Sequence, residues 1–419
     1  MRDINRLSRI GFGCYRVSSR SPIHRAALVS ALHHGCNLID TASNYSGGES
    51  EELVGDVLST APEIDAFVVT KAGYVIDADM PFLDSPAGAE ALTETVTLAG
   101  GTRHCIHPAF LKRQIGRSLQ RLRRTTIDGF LLHNPEYYFD ENGGPEAESA
   151  FYRRIGAAFA TLEACCDAGV IRFYGVSSNA LSAGSAAAPS ISLPRLIETA
   201  AQTRRKGRFR LLEFPCNMLE TEALEPAPGF RSVVDLAAAH GLKTLANRPL
   251  NAKLDGKAVR LAEGAVVDAI APAKLDTAFI AVRQTIEERS GTAAYRAIMD
   301  NLSALQAGWS RIDQTDIAEA VFLGVFFPAL DTLFDGDIPP AARQASMHLY
   351  VLATQQARAS MQDATAVARS RFVQAGAIDA GDRRPLSVIA CDTLLRRGVG
   401  HVLVGMRRPD YVEGLKGLF

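Results

Sequence analysis

Eight short apolar runs, each answered by a stretch of helical periodicity, constrain this chain more than any other feature. The runs are Ile10–Cys14, Asn37–Thr41, Phe67–Lys71, Ile127–His133, Arg172–Ser177, Arg210–Phe214, Lys243–Ala246 and His401–Gly405. Most are apolar at consecutive positions, as strands covered on both faces must be. Between them Leu111, Ile115, Leu119 and Leu122 recur at a spacing of three to four, as do Ile155, Ala158, Phe159 and Leu162. Strand and helix alternating in this way predict an α/β fold with parallel pairing. Eight repeats predict the closed (β/α)8 TIM barrel. An open doubly wound sheet is the rival, but it usually carries a glycine-rich phosphate loop after its first strand. Here Gly11-Phe12-Gly13 lies within the first strand, and no GxGxxG follows.

The alternation breaks once. From about Gly256 to Arg384 the chain reads as helix upon helix, with Leu275, Phe279, Val282 and Ile286 in one apolar stripe and Leu349, Leu352, Val367 and Phe372 suggesting another. Pro385 then opens a run to Leu395 that resumes as the seventh barrel helix, a proline being well placed in a first turn. The expected organisation is barrel over residues 1–255, a large helical insertion over 256–384 between strand seven and helix seven, and barrel again over 385–419. Such an insertion leaves from the C-terminal ends of the strands, the face that carries active sites in these barrels. A second extension, Gly73 to Pro108, follows strand three on that face. Both are candidates for a lid or substrate wall, and the larger one equally for a surface of self-association.

Composition narrows the function classes. A net charge of −1 provides no overall field for nucleic acid or an anionic membrane. The basic run Arg204-Arg205-Lys206-Gly207-Arg208 reads as a solvated turn. The opening residues contain no apolar h-region, and the greasiest stretch, Ala320 to Leu330, is interrupted by Gly324 and Pro328 and too short to span a bilayer. Seven cysteines without CxxC spacing argue against a disulfide framework, and adjacent Cys165 and Cys166 read as packing residues. A reducing, cytoplasmic setting is the expectation.

Polar residues end three successive strands where apolar ones would otherwise continue. Asp40 closes strand two, with Tyr45 in the loop beyond it; Lys71 closes strand three and His133 strand four. In a barrel these ends converge over one mouth. The residue types suit proton transfer. A phenol, with a reference pKa near ~10, donates a proton at neutral pH only if a cation stabilises the phenolate. Lys71 supplies that charge, Asp40 holds Lys71 charged and oriented, and His133 offers a ring nitrogen to a carbonyl oxygen. His104-Cys105-x-His107 and His33-His34-x-Cys36 contain ligand-like residues. Zinc needs three or four convergent ligands, and these clusters read as locally satisfied side chains. Glu49, Glu51 and Glu52 read as favourable charges in the first turn of a helix.

The run Ile-Asp40-Thr-Ala-x-x-Tyr45-x-x-Gly-x-Ser-Glu closely resembles the aldo-keto reductase signature. It is followed in order by Thr-Lys71, by the segment from Ser118 through Asp128 to His133, and by Gly169 through Ser177-Ser178-Asn179. The resemblance covers residues 9–255 and 385–419. It implies an NAD(P)H-dependent oxidoreductase interconverting an aldehyde, ketone or sugar hemiacetal with its alcohol or lactone, with Tyr45 as general acid and base. The Lys-Ala-Gly-Tyr and Leu-His-Asn-Pro variants are closest to the galactose and aldose dehydrogenase-like members. The resemblance further implies that Gly13 and Cys14 lie under the nicotinamide ribose and that Ser177, Ser178 and Glu213 hold the carboxamide. Asn247 and Arg248 stand where the family often has a stacked aromatic, and Glu213 where Gln is commoner. Met406, Arg407 and Arg408 fall at the adenosine-phosphate end; the two arginines favour NADP(H), with NAD(H) left open. A different class also stays open, a cofactor-binding regulatory subunit with little turnover that docks through the helical insertion.

Overall fold

The computed structural model describes residues 3–144, 146–182, 191–203, 207–226, 229–263 and 267–419. Arg204, Arg205 and Lys206 of the basic run lie outside the described residues. The chain divides into two compact units, Met1–Lys253 with Ser387–Phe419, and Leu254–Leu386.

In the first unit eight strands close into a barrel in sequence order: β1 Ile10–Gly13, β2 Leu38–Asp40, β3 Phe67–Ala72, β4 Ile127–His133, β5 Ile171–Ser177, β6 Phe209–Pro215, β7 Lys243–Asn247 and β8 His401–Val404. The pairs are parallel, and β8 closes on β1 with Val402 opposite Ile10. Every boundary falls within one residue of that expected from the apolar runs. Helices α1 Pro22–His33, α2 Glu49–Ser59, α3 Pro108–Arg121, α4 Ala147–Asp167, α5 Leu193–Thr203 and α6 Val233–Ala239 follow successive strands. The extension after β3 is a three-stranded antiparallel sheet, Tyr74–Val75, Arg103–His104 and Val96–Thr97, with short helices between. It rests on a small core of Leu83, Ala91, Cys105 and Phe110.

The second unit contains α7 Pro272–Ile286, α8 Ala293–Ala307, α9 Pro340–Gln374 and shorter helices. Its own core includes Phe279, Val282, Ile286, Leu302, Trp309, Phe322, Leu349 and Leu352. Val367 does not join the α9 stripe and is 49% exposed. Thr365, Ala368 and Phe372 occupy the buried face at that point, and one residue along a helix turns a side chain by about 100°. Asp255 and Gly256, both at positive φ, separate two short strands, Asn251–Leu254 and Lys257–Arg260, so the insertion does not begin as helix. The chain returns through α10 Leu386–Arg396 to β8 and α11 Pro409–Leu415.

The barrel interior explains why a polar site forms where it does. Alternate residues of a strand share a face. Leu38, Phe67, Val69, Leu131, Leu211, Leu245 and Leu403 meet in one buried cluster, with Phe173 packed against it. Ile4 joins this cluster and Leu7 packs on it from the segment before β1. Gly129 leaves the room they need, since a Cβ there would sit 2.5 Å from Leu211 Cδ1. Truncating Leu131 or Leu211 to Ala would cost about 2–5 kcal/mol. Two residues beyond Leu38, Val69, Leu131, Leu211 and Leu245 the inward stripes reach Asp40, Lys71, His133, Glu213 and Asn247, and four beyond Phe173 that of β5 reaches Ser177. The polar layer is therefore stacked directly on the apolar one.

Candidate active site

Lys71 is wholly buried at the centre of the polar layer. Its Nζ donates to Asp40 Oδ1 at 2.6 Å, to the Thr41 carbonyl at 3.1 Å and to Tyr45 Oη at 3.3 Å. It also lies 3.2 Å from Glu213 Oε2, across the barrel. Asn247 Nδ2 donates to the other carboxylate oxygen, Glu213 Oε1, at 2.8 Å. The structure thus brings Asp40, Tyr45 and Lys71 into direct contact, with the His133 ring edge-on to Tyr45 at 5.9 Å between centroids.

Tyr45 is carried by a turn the sequence makes unusual. Ser46, Gly47 and Gly48 all have positive φ. Ser46 Oγ fixes that turn on the Val17 carbonyl, and the Ser50 and Thr41 hydroxyls, 2.7 Å apart, join the start of α2 to the end of β2. Glu51, expected as a first-turn charge, is fully buried and does more. It accepts from Thr70 Oγ1 at 2.6 Å and from Arg121 Nε at 2.6 Å, tying α2 to β3 and α3. Since Thr70 precedes Lys71, Glu51 fixes the loop bearing Tyr45 against the strand bearing Lys71.

His133 is held from behind. His104 Nε2 donates to the His133 carbonyl at 2.6 Å, which requires the ring proton on that nitrogen. Gly73 permits this approach, because a Cβ there would lie 2.4 Å from both atoms. His107 caps α3 by accepting from the Ala109 N–H. Tyr74 packs edge-on to His133 at 4.8 Å, and its hydroxyl meets Tyr137 Oη at 3.0 Å and Asn134 Nδ2 at 2.8 Å. Tyr15, 65% exposed, packs edge-on to Tyr45 at 5.2 Å. Aromatic rings thus run in contact from Tyr15 through Tyr45 and His133 to Tyr74 and Tyr137. Tyr74, Asn134 and Tyr137 carried no strand-end signal, though Tyr74 and Asn134 follow closely on Lys71 and His133.

The electrostatics follow from burial. Lys71 is held charged, well above its ordinary value: desolvation opposes the charge, but Asp40 and Glu213 outweigh it. Tyr45 is pushed above the usual phenol range by burial, against the pull of Lys71. His133 is kept neutral by burial and by Lys71, and its Nδ1 is buried without a hydrogen-bond partner among the described residues. Cys14, buried beneath, is a neutral thiol raised first by desolvation and then by Asp40.

The other expected residues line the later strands. Ser177 and Ser178 are buried at the end of β5, and Ser178 Oγ accepts from the Ala180 N–H. Glu136 accepts from the Asn179 N–H at 2.8 Å and orders this turn; burial pushes its carboxyl up to about 7. Arg248 is exposed, at φ 54, and donates to Asn179 Oδ1 at 3.0 Å. A non-glycine residue in the left-handed region signals a conformation imposed by its surroundings. Asn247 Oδ1 is buried without a partner among the described residues. Gly13 ends β1 beside Asp40, while Met406 is buried before α11. Arg407 and Arg408 are exposed, and Arg408 Nε is engaged by Asp410 at 2.9 Å. No group of three or more metal-ligating side chains occurs among the described residues, and no described helix is long and apolar enough to cross a membrane.

Residues 9–263 match the model of the aldo/keto reductase family. An uncharacterized oxidoreductase of Bacillus subtilis, YqkF, is 28% identical over 172 residues, which is 41% of this chain and 45% of that protein. An NADH-specific methylglyoxal reductase of Escherichia coli is 28% identical over 135 residues, 30% of this chain and 38% of the relative. The chain thus spans less than half the length of these curated relatives. Among solved structures, the holo form of an aldo-keto reductase from Bacillus halodurans is 17% identical, with a TM-score of 0.41 over 84% of this chain and 95% of that one.

Proposed function

Because this chain belongs to the aldo/keto reductase family, we propose that it is an NAD(P)H-dependent oxidoreductase interconverting an aldehyde, ketone or sugar hemiacetal with its alcohol or lactone. The observation that carries the reading is a buried ammonium, Lys71 Nζ, within 2.6 Å of Asp40 and 3.3 Å of the Tyr45 hydroxyl. Tyr45 donates a proton to the substrate oxygen in reduction and accepts one in oxidation. Lys71 makes this feasible by stabilising the developing phenolate, and Asp40 keeps Lys71 charged in a dry site. Neutral His133 orients the same oxygen by a hydrogen bond. Tyr74 and Tyr137 present an aromatic wall with polar tips, suited to a substrate that carries both apolar and hydroxyl surface.

The mouth fits a nicotinamide. Asn247 Oδ1 is a buried acceptor without a partner among the described residues, suited to the amide N–H of the carboxamide, and Ser177 and Ser178 are buried at the end of β5. Glu213, the third residue expected there, has its oxygens turned to Lys71 and Asn247. Gly13 and Cys14 would lie under the ribose, Arg248 would cover the ring in place of an aromatic, and Met406, Arg407 and Arg408 would face the adenosine phosphate. The two arginines favour NADP(H). When bound, the nicotinamide supplies or takes the hydride at the carbonyl carbon.

The test is loss of reduced-cofactor absorbance, with NADPH and NADH offered separately against a panel of aldehydes, ketones and aldoses. Methylglyoxal belongs in it because one relative is named for that substrate. Consumption with at least one carbonyl, faster with NADPH, is expected. Tight cofactor binding with no turnover on any member would contradict the reading.

A further inference from the structure

Lys71 is shared by two carboxylates. Asp40 Oδ1 meets it from the adjacent strand at 2.6 Å and Glu213 Oε2 from across the barrel at 3.2 Å, and all three side chains are buried. The groups facing them from the surrounding elements do not balance that charge. From the residue after β1 comes the neutral Cys14 thiol, from the loop after β2 the Tyr45 phenol, from β4 the neutral His133 ring, from β5 Ser177 and from β7 the Asn247 amide. One ammonium with two carboxylates would leave a negative charge uncompensated in a desolvated site. Such sites more readily keep a proton than bury an unpaired charge.

We propose that Glu213 is a positioning residue for the reaction: it sets a second carboxylate against Lys71, so that the cluster with Asp40 holds one proton, and the charge of this cluster sets how far Lys71 supports the Tyr45 hydroxyl. The role in the reaction rests on the reductase reading given above. Burial, with Glu213 next in weight, pushes the Asp40 carboxyl up to about 8 against the pull of Lys71. While this proton is held, the cluster is neutral and Lys71 acts fully on Tyr45. Once it is lost, the cluster carries an extra negative charge that opposes proton release from the phenol. Reduction therefore slows as pH rises through this range, and E213Q, whose cluster stays neutral, does not follow it.

The test begins on the cofactor-free, full-length protein. A carboxyl whose folded value is raised binds more protons folded than unfolded. Its stabilising contribution, complete below the unfolded value near ~4, is lost as pH rises through the folded one. The apparent Tm of wild type, E213Q and D40N is followed from about pH 6 to about pH 9. The Tm of E213Q minus that of wild type is expected to grow by at least about 3 °C over this range. D40N, which removes the other half of the pair, should show the same growth and carries the test if E213Q does not fold. A Tm difference that stays constant with pH overturns the proposal, because a purely structural role for Glu213 would give that result. In turnover, the wild-type kcat for reduction should fall several-fold across the upper half of the range while E213Q stays within about twofold; parallel profiles also overturn it. The two readings separate cleanly. Turnover with a constant Tm difference sinks the carboxyl pair and leaves the reductase. A pH-dependent difference without turnover leaves the pair and removes its role in the reaction.

Discussion

The early and late strands of the barrel build unlike halves of one mouth. In the half from β2 to β4, Asp40, Tyr45, Lys71 and His133 are buried and arranged around a single ammonium. Their supports are buried too: Glu51 behind Lys71, and His104 behind His133. In the half from β5 to β8, Asn247 keeps a buried acceptor without a partner among the described residues, and Arg248, Arg407 and Arg408 are exposed. The first half is closed from behind by these supports, as the proton transfer proposed for it would need, while His133 Nδ1 stays without a partner among the described residues. The second adds the Asn247 acceptor and the exposed charge that a molecule arriving from outside would use. Glu213 crosses between them.

That contrast can be broken by substitution, beginning in the closed half. Lys71→Met removes the cation and leaves two buried carboxylates facing each other. The expected loss is about 10³-fold in kcat for carbonyl reduction, with a smaller change in KM for cofactor. Retention of a tenth of the wild-type rate would mean that the closed half is merely structural.

A second, smaller effect concerns the support behind His133. Burial lowers His104 from 6.5 to about 4, so the unfolded chain takes up a proton that the folded one resists. The stability tied to this neutral ring is present above about pH 6.5 and is lost as pH falls through about 4, amounting to about 3 kcal/mol. Denaturant unfolding at about pH 7 and pH 4.5 should show wild type losing more stability on acidification than His104→Gln does. Equal losses in the two proteins would remove His104 from the closed half.

The mildest change sharpens the open half. Arg248→Ala should raise the KM for NADPH about fivefold and leave kcat within about twofold, because the role proposed for its guanidinium is to cover the cofactor and not to move a proton. A kcat loss as large as that of Lys71→Met would erase the distinction between the halves.

The same division marks what could be read from sequence. Asp40, Lys71 and His133 were legible because each interrupts an apolar run at its C-terminal end, and barrel topology alone brings such ends together. The strand boundaries were legible for the same reason. The partners of Glu213 were not, because Lys71 is remote in sequence and three strands away in the barrel. A signal was present all the same. Glu213 follows Leu211 by two residues, as Lys71 follows Val69, so the period of two places both in one inward layer. The sheet after β3 escaped notice because strands of two residues, Tyr74–Val75 and Arg103–His104, show no periodicity. With it went the link from His104 to His133. Val367 fell off its stripe because a long helix rotates its buried face, and two apolar residues within a few turns of each other need not share a side.

The most direct measurement is made on Tyr45→Phe, which removes one hydroxyl and keeps the ring that packs against Tyr15 and His133. Cofactor binding, followed by NADPH fluorescence, and carbonyl-dependent NADPH oxidation are measured side by side with wild type. Binding within about threefold of wild type with turnover lowered by about 10³-fold or more is the predicted result. Turnover near the wild-type rate, with binding intact, would contradict the assignment of proton transfer to this mouth.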